Sequence, residues 1–191
     1  FPPLSVRTLV MNTLSKLYPT LSKAQTVENR SPSNDKNITE EQQSKVKASQ
    51  AITLLLAGGD KLYYYEGEPN YKDYTSLKET SYNADGLRSI LLKKNSAAVR
   101  EVNDLKKQKA DLKISEEEYT KKLAEIKSGK DTPTVIIKAT DDSSYKNLID
   151  ALDEMQICNI GKYVITDIAD ADQFLIKNYD TKGDLSKDIA E

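Results

Sequence analysis

The sequence predicts an α/β fold of the two-layer α+β kind: a small mixed sheet of four or five strands, two helices on one face, and an inserted helical hairpin. Three observations lead to this prediction. Residues 132–167 contain, in order, a buried strand, an amphipathic helix and a second buried strand. Residues 50–66 have the pattern of a strand hairpin. Two further helical patterns, with their own start and stop signals, lie between these segments.

The first strand pair is predicted at residues 50–66. Ile52, Leu54 and Leu56 occupy alternate positions, which is the period of two expected of a strand. The Gly-Gly-Asp sequence at residues 58–60 suits the positive backbone angles of a tight turn, after which residues 61–65 return. The tyrosines at residues 63–65 could stack on a sugar, but tyrosine is a good strand former. We therefore favour a strand whose alternate rings face core and solvent.

Two helical regions follow. Asn83 can cap a helix that begins near Asp85, with an apolar stripe that should pack on the sheet. The Ser-Glu-Glu-Glu sequence at residues 115–118 is a capping box for another helix. Residues 96–129 therefore read as two antiparallel helices inserted into the domain. Their Lys- and Glu-rich faces are most simply a solvated surface, and a partner-docking arm is the alternative.

Residues 132–167 form the clearest unit. An apolar run at residues 135–137 indicates a strand, and Ser143 or Ser144 can cap the helix after it. Asn159 stands where a left-handed residue closes that helix, and residues 163–165 start the second strand. Two strands joined by a crossover helix lie parallel. One helix face carries the apolar positions Tyr145, Leu148, Ile149, Leu152 and Met155.

Composition excludes several classes of function. Lys+Arg 28 against Asp+Glu 30 gives a net charge of −2, so we expect no nucleic-acid partner. The chain has no histidine and one cysteine, Cys158, which we expect to be a buried small hydrophobe. The aspartates at residues 141–142 are typical of a helix cap, and the spacing of those at residues 167, 170 and 172 does not match a calcium-binding loop. We therefore predict no catalytic residue, no metal, no cofactor and no enzyme activity.

Residues 132–167 contain Lys138-Ala139, then Tyr145, then Leu148, Leu152 and Asp153, ahead of a helix cap and a Val/Ile strand. In this order they resemble the periplasmic domain of the ExbD/TolR family. The resemblance is weaker over residues 50–66, and Thr140 stands where the family usually has Asp. Asn159 replaces the usual Gly, which is a mild change because Asn is the commonest other residue in the left-handed region. The positions that match the family, predicted to be structural, are Lys138, Ala139, Tyr145, Leu148, Leu152, Asp153 and Asn159. We also predict that the Tyr145 ring packs under the sheet, with its hydroxyl near Lys138 or the turn at residues 140–141.

The resemblance also implies how the chain is organised. Residues 47–170 would form the periplasmic domain, residues 1–46 a membrane-proximal linker, and residues 171–191 a C-terminal tail. Within the linker, residues 6–17 could form a short amphipathic helix. No apolar run reaches the roughly 20 residues of a membrane-spanning helix. We therefore expect the family's transmembrane helix, with its proton-carrying Asp, to be missing from this chain.

The function implied is that of a subunit on the periplasmic side of the inner membrane of a Gram-negative bacterium. There it would act as a homodimer with an ExbB/TolQ-like proton-channel subunit and use the proton motive force to energise a TonB-like protein. Two alternatives stay open: a TolR-like module that binds peptidoglycan, and a structural adaptor that docks through the helical insertion. We predict the dimer or partner interface at the last strand, since an apolar edge strand can pair with another chain. Its residues are Lys162, Tyr163, Val164, Ile165, Thr166 and Asp167.

Overall fold

The computed structural model describes residues 50–187, so the predicted linker at residues 1–46 and its helix at residues 6–17 lie outside the described residues. The strands are β1 (Ala51–Leu56), β2 (Leu62–Glu66), β3 (Lys78–Thr80), β4 (Thr134–Ala139) and β5 (Lys162–Asp167). The α-helices are α1 (Ser89–Lys94), α2 (Ser96–Ala110), α3 (Glu116–Lys127), α4 (Tyr145–Ile157) and α5 (Asp170–Asp180). A π-helical turn, Ala84–Arg88, precedes α1.

The five strands form one mixed sheet in the order β3-β2-β1-β4-β5. The strands β1, β2 and β3 pair antiparallel, whereas β4 pairs parallel with both β1 and β5. In this register Ile137 of β4 lies opposite Leu54 of β1 and Ile165 of β5. The predicted mixed sheet and the parallel strand-helix-strand unit are therefore confirmed.

The turn between β1 and β2 and both ends of α4 lie where the sequence pattern predicts them. Asp60 follows Gly59 in the turn between β1 and β2, and both have positive φ, 58° and 70°. Ser144 caps α4 in a capping box with Asn147, which satisfies backbone groups that the first helical turn leaves unpaired. Asn159 closes the same helix at φ 56°, as predicted.

The two faces of the sheet have different covers. Ile52, Leu54 and Leu56 of β1 point to the main core, where α1 and α4 pack together on one face, as predicted. Leu55 and Tyr63 point to the other face and pack against α5 in a second, smaller cluster. Since strand side chains alternate, one strand serves both cores. The prediction treated residues 171–191 as a tail, whereas α5 forms there and adds cover on the second face.

The helices α2 and α3 form the predicted hairpin, hereafter called the helical hairpin. Ser115 caps α3 in a capping box with Glu118. Across the turn, the Lys109 ammonium lies 2.7 Å from Glu116 and 4.4 Å from the centre of the Tyr119 ring. Among residues 50–187 no helix has the length and apolar character needed to cross a membrane.

Candidate functional site

The strand β5 is the outermost strand on its side of the sheet, and the described chain places no strand beyond it. Along such an edge strand, alternate residues direct their backbone N–H and C=O groups away from the neighbouring strand. Exposed groups of this kind are a template on which another strand can pair. The predicted interface residues therefore lie at a position where pairing with a further strand is geometrically possible.

The middle of β5 places an apolar side chain on each face of the sheet. Tyr163 and Ile165 pack on the main core, and Val164 lies opposite Ile136 on the other face. Val164 and Ile165 are half-buried, whereas Thr166 is exposed. An incoming strand would therefore meet apolar side chains in the middle of β5 and water at its end.

The start of β5 is attached to the base of the helical hairpin. The Lys162 ammonium donates a hydrogen bond to the Gly129 carbonyl at 3.0 Å. Burial lowers the pKa of Lys162, while the charge of Asp131 acts in the opposite direction. A Cβ at Gly161 would lie 2.4 Å from the Lys127 carbonyl oxygen, so the chain can pass there only as glycine. The start of the edge strand is therefore packed against and hydrogen-bonded to the base of the insertion.

On the second face, a buried carboxylate fastens α5 to the sheet. The Asp172 side chain is 3% exposed and lies 2.8 Å from the ammonium of Lys138, whose side chain is 18% exposed. Asp172 also accepts hydrogen bonds from the Tyr65 hydroxyl at 3.2 Å and from the Ala169 N–H at 3.0 Å. Burial raises the pKa of Tyr65 to about 12, and the negative charge of Asp172 acts in the same direction. Lys138, predicted as structural, thus lies in this cluster.

Asp172 had no predicted role, because its spacing from Asp167 and Asp170 only argued against a calcium-binding loop. Asp172 caps α5, but the same side chain is also buried against β4 and β2. A signal was present in the sequence: Leu175, Ile176 and Tyr179 recur at helical spacing behind it. That stripe indicates a packed helix rather than a tail.

The prediction that Tyr145 packs under the sheet is wrong, since this residue is 47% exposed. Tyr145 is the first residue of α4, and the helix face that meets the sheet begins at Asn147 and Leu148, which are both buried. The Asn147 amide nitrogen donates to the Asp60 carboxylate at 2.8 Å. The first turn of α4 is therefore linked by Asn147 to the turn between β1 and β2, which is not the contact that was expected of Tyr145.

Among the other residues matched to the family, the apolar ones lie in or against the main core and the aspartate lies at the surface. Leu148 and Leu152 are buried in the main core, and Ala139 packs against it. Asp153 is exposed on the outer face of α4. Their structural role stays a prediction, since burial alone does not test it.

A second charged pair, in which only the carboxylate is buried, joins the π-helical turn to α4. The Arg88 guanidinium donates to both carboxylate oxygens of Glu154, at 2.9 and 3.0 Å. Cys158 lies beside this pair, and burial raises the pKa of its thiol to about 12, with Glu154 adding to the effect. Cys158 is therefore a buried, protonated side chain, as predicted. Within residues 50–187, no group of three or more His, Cys, Asp or Glu residues is arranged to hold a metal ion.

Comparison with known proteins gives one match. The family model described as "Biopolymer transport protein ExbD/TolR" matches residues 17–168. Neither a curated protein nor a solved structure matches the chain. The matched range contains all five strands and the helical hairpin, and it ends just before α5.

Proposed function

This chain belongs to the ExbD/TolR family of biopolymer transport proteins, and we propose that it is the periplasmic part of an ExbD-like subunit. In that role the domain lies on the periplasmic side of the inner membrane of a Gram-negative bacterium. A homodimer of the subunit works with an ExbB/TolQ-like proton channel. It passes energy from the proton motive force to a TonB-like protein that serves transport across the outer membrane.

The position of β5 at the edge of the sheet is the observation that supports this proposal. An extended segment of the TonB-like partner adds to β5 as a further strand. Main-chain hydrogen bonds supply affinity in this mode, and alternate side chains supply specificity. On β5 those side chains are Val164 on one face and Ile165 on the other. Strand addition requires an open edge rather than catalytic groups, which fits a domain that transmits force.

The same edge also suits a second copy of the domain. Two β5 strands related by a two-fold axis would extend the sheet across both copies. Partner binding and self-association then compete for one surface. Such competition makes a two-state element whose populations a proton channel can bias.

The test is a titration of the domain with an extended peptide from the TonB-like partner, followed by amide chemical shifts and light scattering. We expect shifts along β5 and weaker self-association as the peptide binds. Val164→Lys should weaken both, because a charge on an edge strand opposes pairing. Thr80→Lys, which adds the same charge to β3 at the opposite edge, is the matched control. Shifts confined to the helical hairpin, with β5 unchanged, would contradict strand addition.

The family match does not distinguish ExbD from TolR. A pull-down of the domain with cell-wall sacculi, run beside one with the C-terminal domain of a TonB-like protein, separates the two roles. Capture by the TonB-like domain alone supports the ExbD-like role. Capture by sacculi alone replaces it with the TolR-like, peptidoglycan-binding role.

A further inference from the structure

A cleft of about 570 Å³ lies between the two helices of the helical hairpin, at its base. Its longest wall is a stripe on α2 whose positions recur once per turn, namely Ala97, Ala98, Glu101, Asp104, Leu105 and Gln108. This stripe spans three helical turns, or about 16 Å at 1.5 Å per residue. The opposite wall comes from α3, and the loop at residues 129–132 closes one end. The cleft is therefore an elongated trough that matches a short segment of chain in length.

The trough has an apolar floor. Ala98 and Leu105 of α2 are buried beneath it, with Leu105 4% exposed. Ile126 of α3 is half-buried on the other side. Two antiparallel helices leave a groove between their side-chain ridges, and a third helix fits such a groove. The small side chain of Ala97 leaves the mouth of the groove open.

The rim of the trough is acidic. Four exposed carboxylates lie on it against two ammonium groups, those of Lys122 and Lys130. The carboxylates are Glu101, Asp104, Glu125 and Asp131. A ligand that fits this rim carries positive charge.

Three of the four rim carboxylates are also available for binding. Among residues 50–187, neither Glu101, Asp104 nor Glu125 takes part in a salt bridge. Elsewhere on the same hairpin, Glu116 is paired with Lys109. An incoming cation can therefore reach these three carboxylates without breaking an ion pair between residues that the structure describes.

We propose that this cleft binds a basic amphipathic helix of a partner protein, about three turns long. Its apolar side chains lie on the floor formed by Leu105 and Ile126. Its Lys and Arg side chains lay their aliphatic stems along the walls and extend their charged ends to the rim carboxylates. This surface is separate from the outer edge of β5, so the proposal does not depend on strand addition.

The test uses fluorescence anisotropy of a fluorescein-labelled, twelve-residue synthetic helix with leucine on one face and lysine on the other. The full chain is titrated into this probe, and into a matched peptide in which glutamate replaces every lysine. We expect saturable binding of the lysine peptide alone. Glu101→Lys, inside the cleft, should raise the Kd at least about tenfold. Glu117→Lys makes the same charge change on an exposed part of α3 outside the cleft and should change the Kd less than about twofold.

A second pair of variants separates shape from charge. Ala97→Trp fills the mouth of the cleft and should abolish binding, whereas Ala110→Trp, at the exposed end of the same helix, should not. If Glu101→Lys and Glu117→Lys raise the Kd equally, the peptide responds only to the net charge of the protein, and the proposal is overturned. Absence of saturable binding to the wild-type chain would also overturn it. Neither result depends on whether β5 pairs with a partner strand.

Discussion

We expect Asp172→Ala to destabilise the domain by about 3 kcal/mol, because this carboxylate holds α5 on the sheet. Its removal leaves the Lys138 ammonium without its partner at 2.8 Å, and it deprives the Tyr65 hydroxyl of its acceptor. Removing one member of a buried ion pair typically costs about 3 to 5 kcal/mol. The Lys138 side chain is 18% exposed and can turn partly toward water, which favours the lower end of that range.

Urea unfolding followed by far-ultraviolet circular dichroism measures the effect. Lys138→Met removes the charge but keeps the aliphatic stem, and it should cost about 2 kcal/mol, since Asp172 keeps two neutral donors. With Asp172→Asn as the other change, a double-mutant cycle should give a coupling energy of at least about 1 kcal/mol. Asp150→Asn is the matched control. It removes an exposed pair with Lys146 on α4, which should be worth less than about 0.5 kcal/mol.

Two results would refute this reasoning. One is a loss of less than about 1 kcal/mol of unfolding free energy for Asp172→Ala, which would mean that the buried pair is no more stable than the two side chains in water. The other is additivity of Lys138→Met and Asp172→Asn within about 0.3 kcal/mol, which would mean that the two groups do not interact.

Two further predictions concern single tyrosines. Tyr145→Ala should cost less than about 1 kcal/mol of unfolding free energy in the same urea assay, because its ring is largely in water. Leu152→Ala, in the core, should cost about 2 to 5 kcal/mol. Equal losses for the two variants would place Tyr145 in the core. Burial raises the pKa of Tyr65 from 10.0 to about 12, so the folded state holds this proton more tightly than the unfolded state does. That stability is fully present below pH 10 and is lost as the pH rises through about 12. Tyr65→Phe should therefore flatten the alkaline fall in melting temperature, and an unchanged pH profile would argue against a buried Tyr65 hydroxyl.

Much of the fold was predictable because its signals are local. The capping box at Ser144, the left-handed Asn159 and the apolar periodicity between them act within a few residues of one another. Each restricts the backbone or satisfies its polar groups whatever the rest of the chain does. The same holds for the capping box at Ser115, which correctly placed the second helix of the insertion.

The candidate site was less predictable from the sequence. The residues of β5 are apolar and suited to a strand, and that pattern alone does not distinguish an edge strand from a central one. Its edge position follows from the strand order, which pairs β4 with β1 on one side and with β5 on the other. Whether these residues bind a partner stays a prediction.

The sequence by itself determined most of the strands and helices, though not β3 or α5, together with their apolar faces and the classes of chemistry that the composition disfavours. Only the tertiary structure decided that α5 covers the second face, that Asp172 meets Lys138 across 34 residues of chain, and that Asn147 bonds Asp60 while Tyr145 stays exposed. The physical reason is the range of the interactions. Caps and periodicity act over one or two turns, whereas an ion pair between β4 and α5 depends on how separate elements pack. The sequence around Asp172 therefore does not identify it as a buried charge, because its partner Lys138 lies on another element.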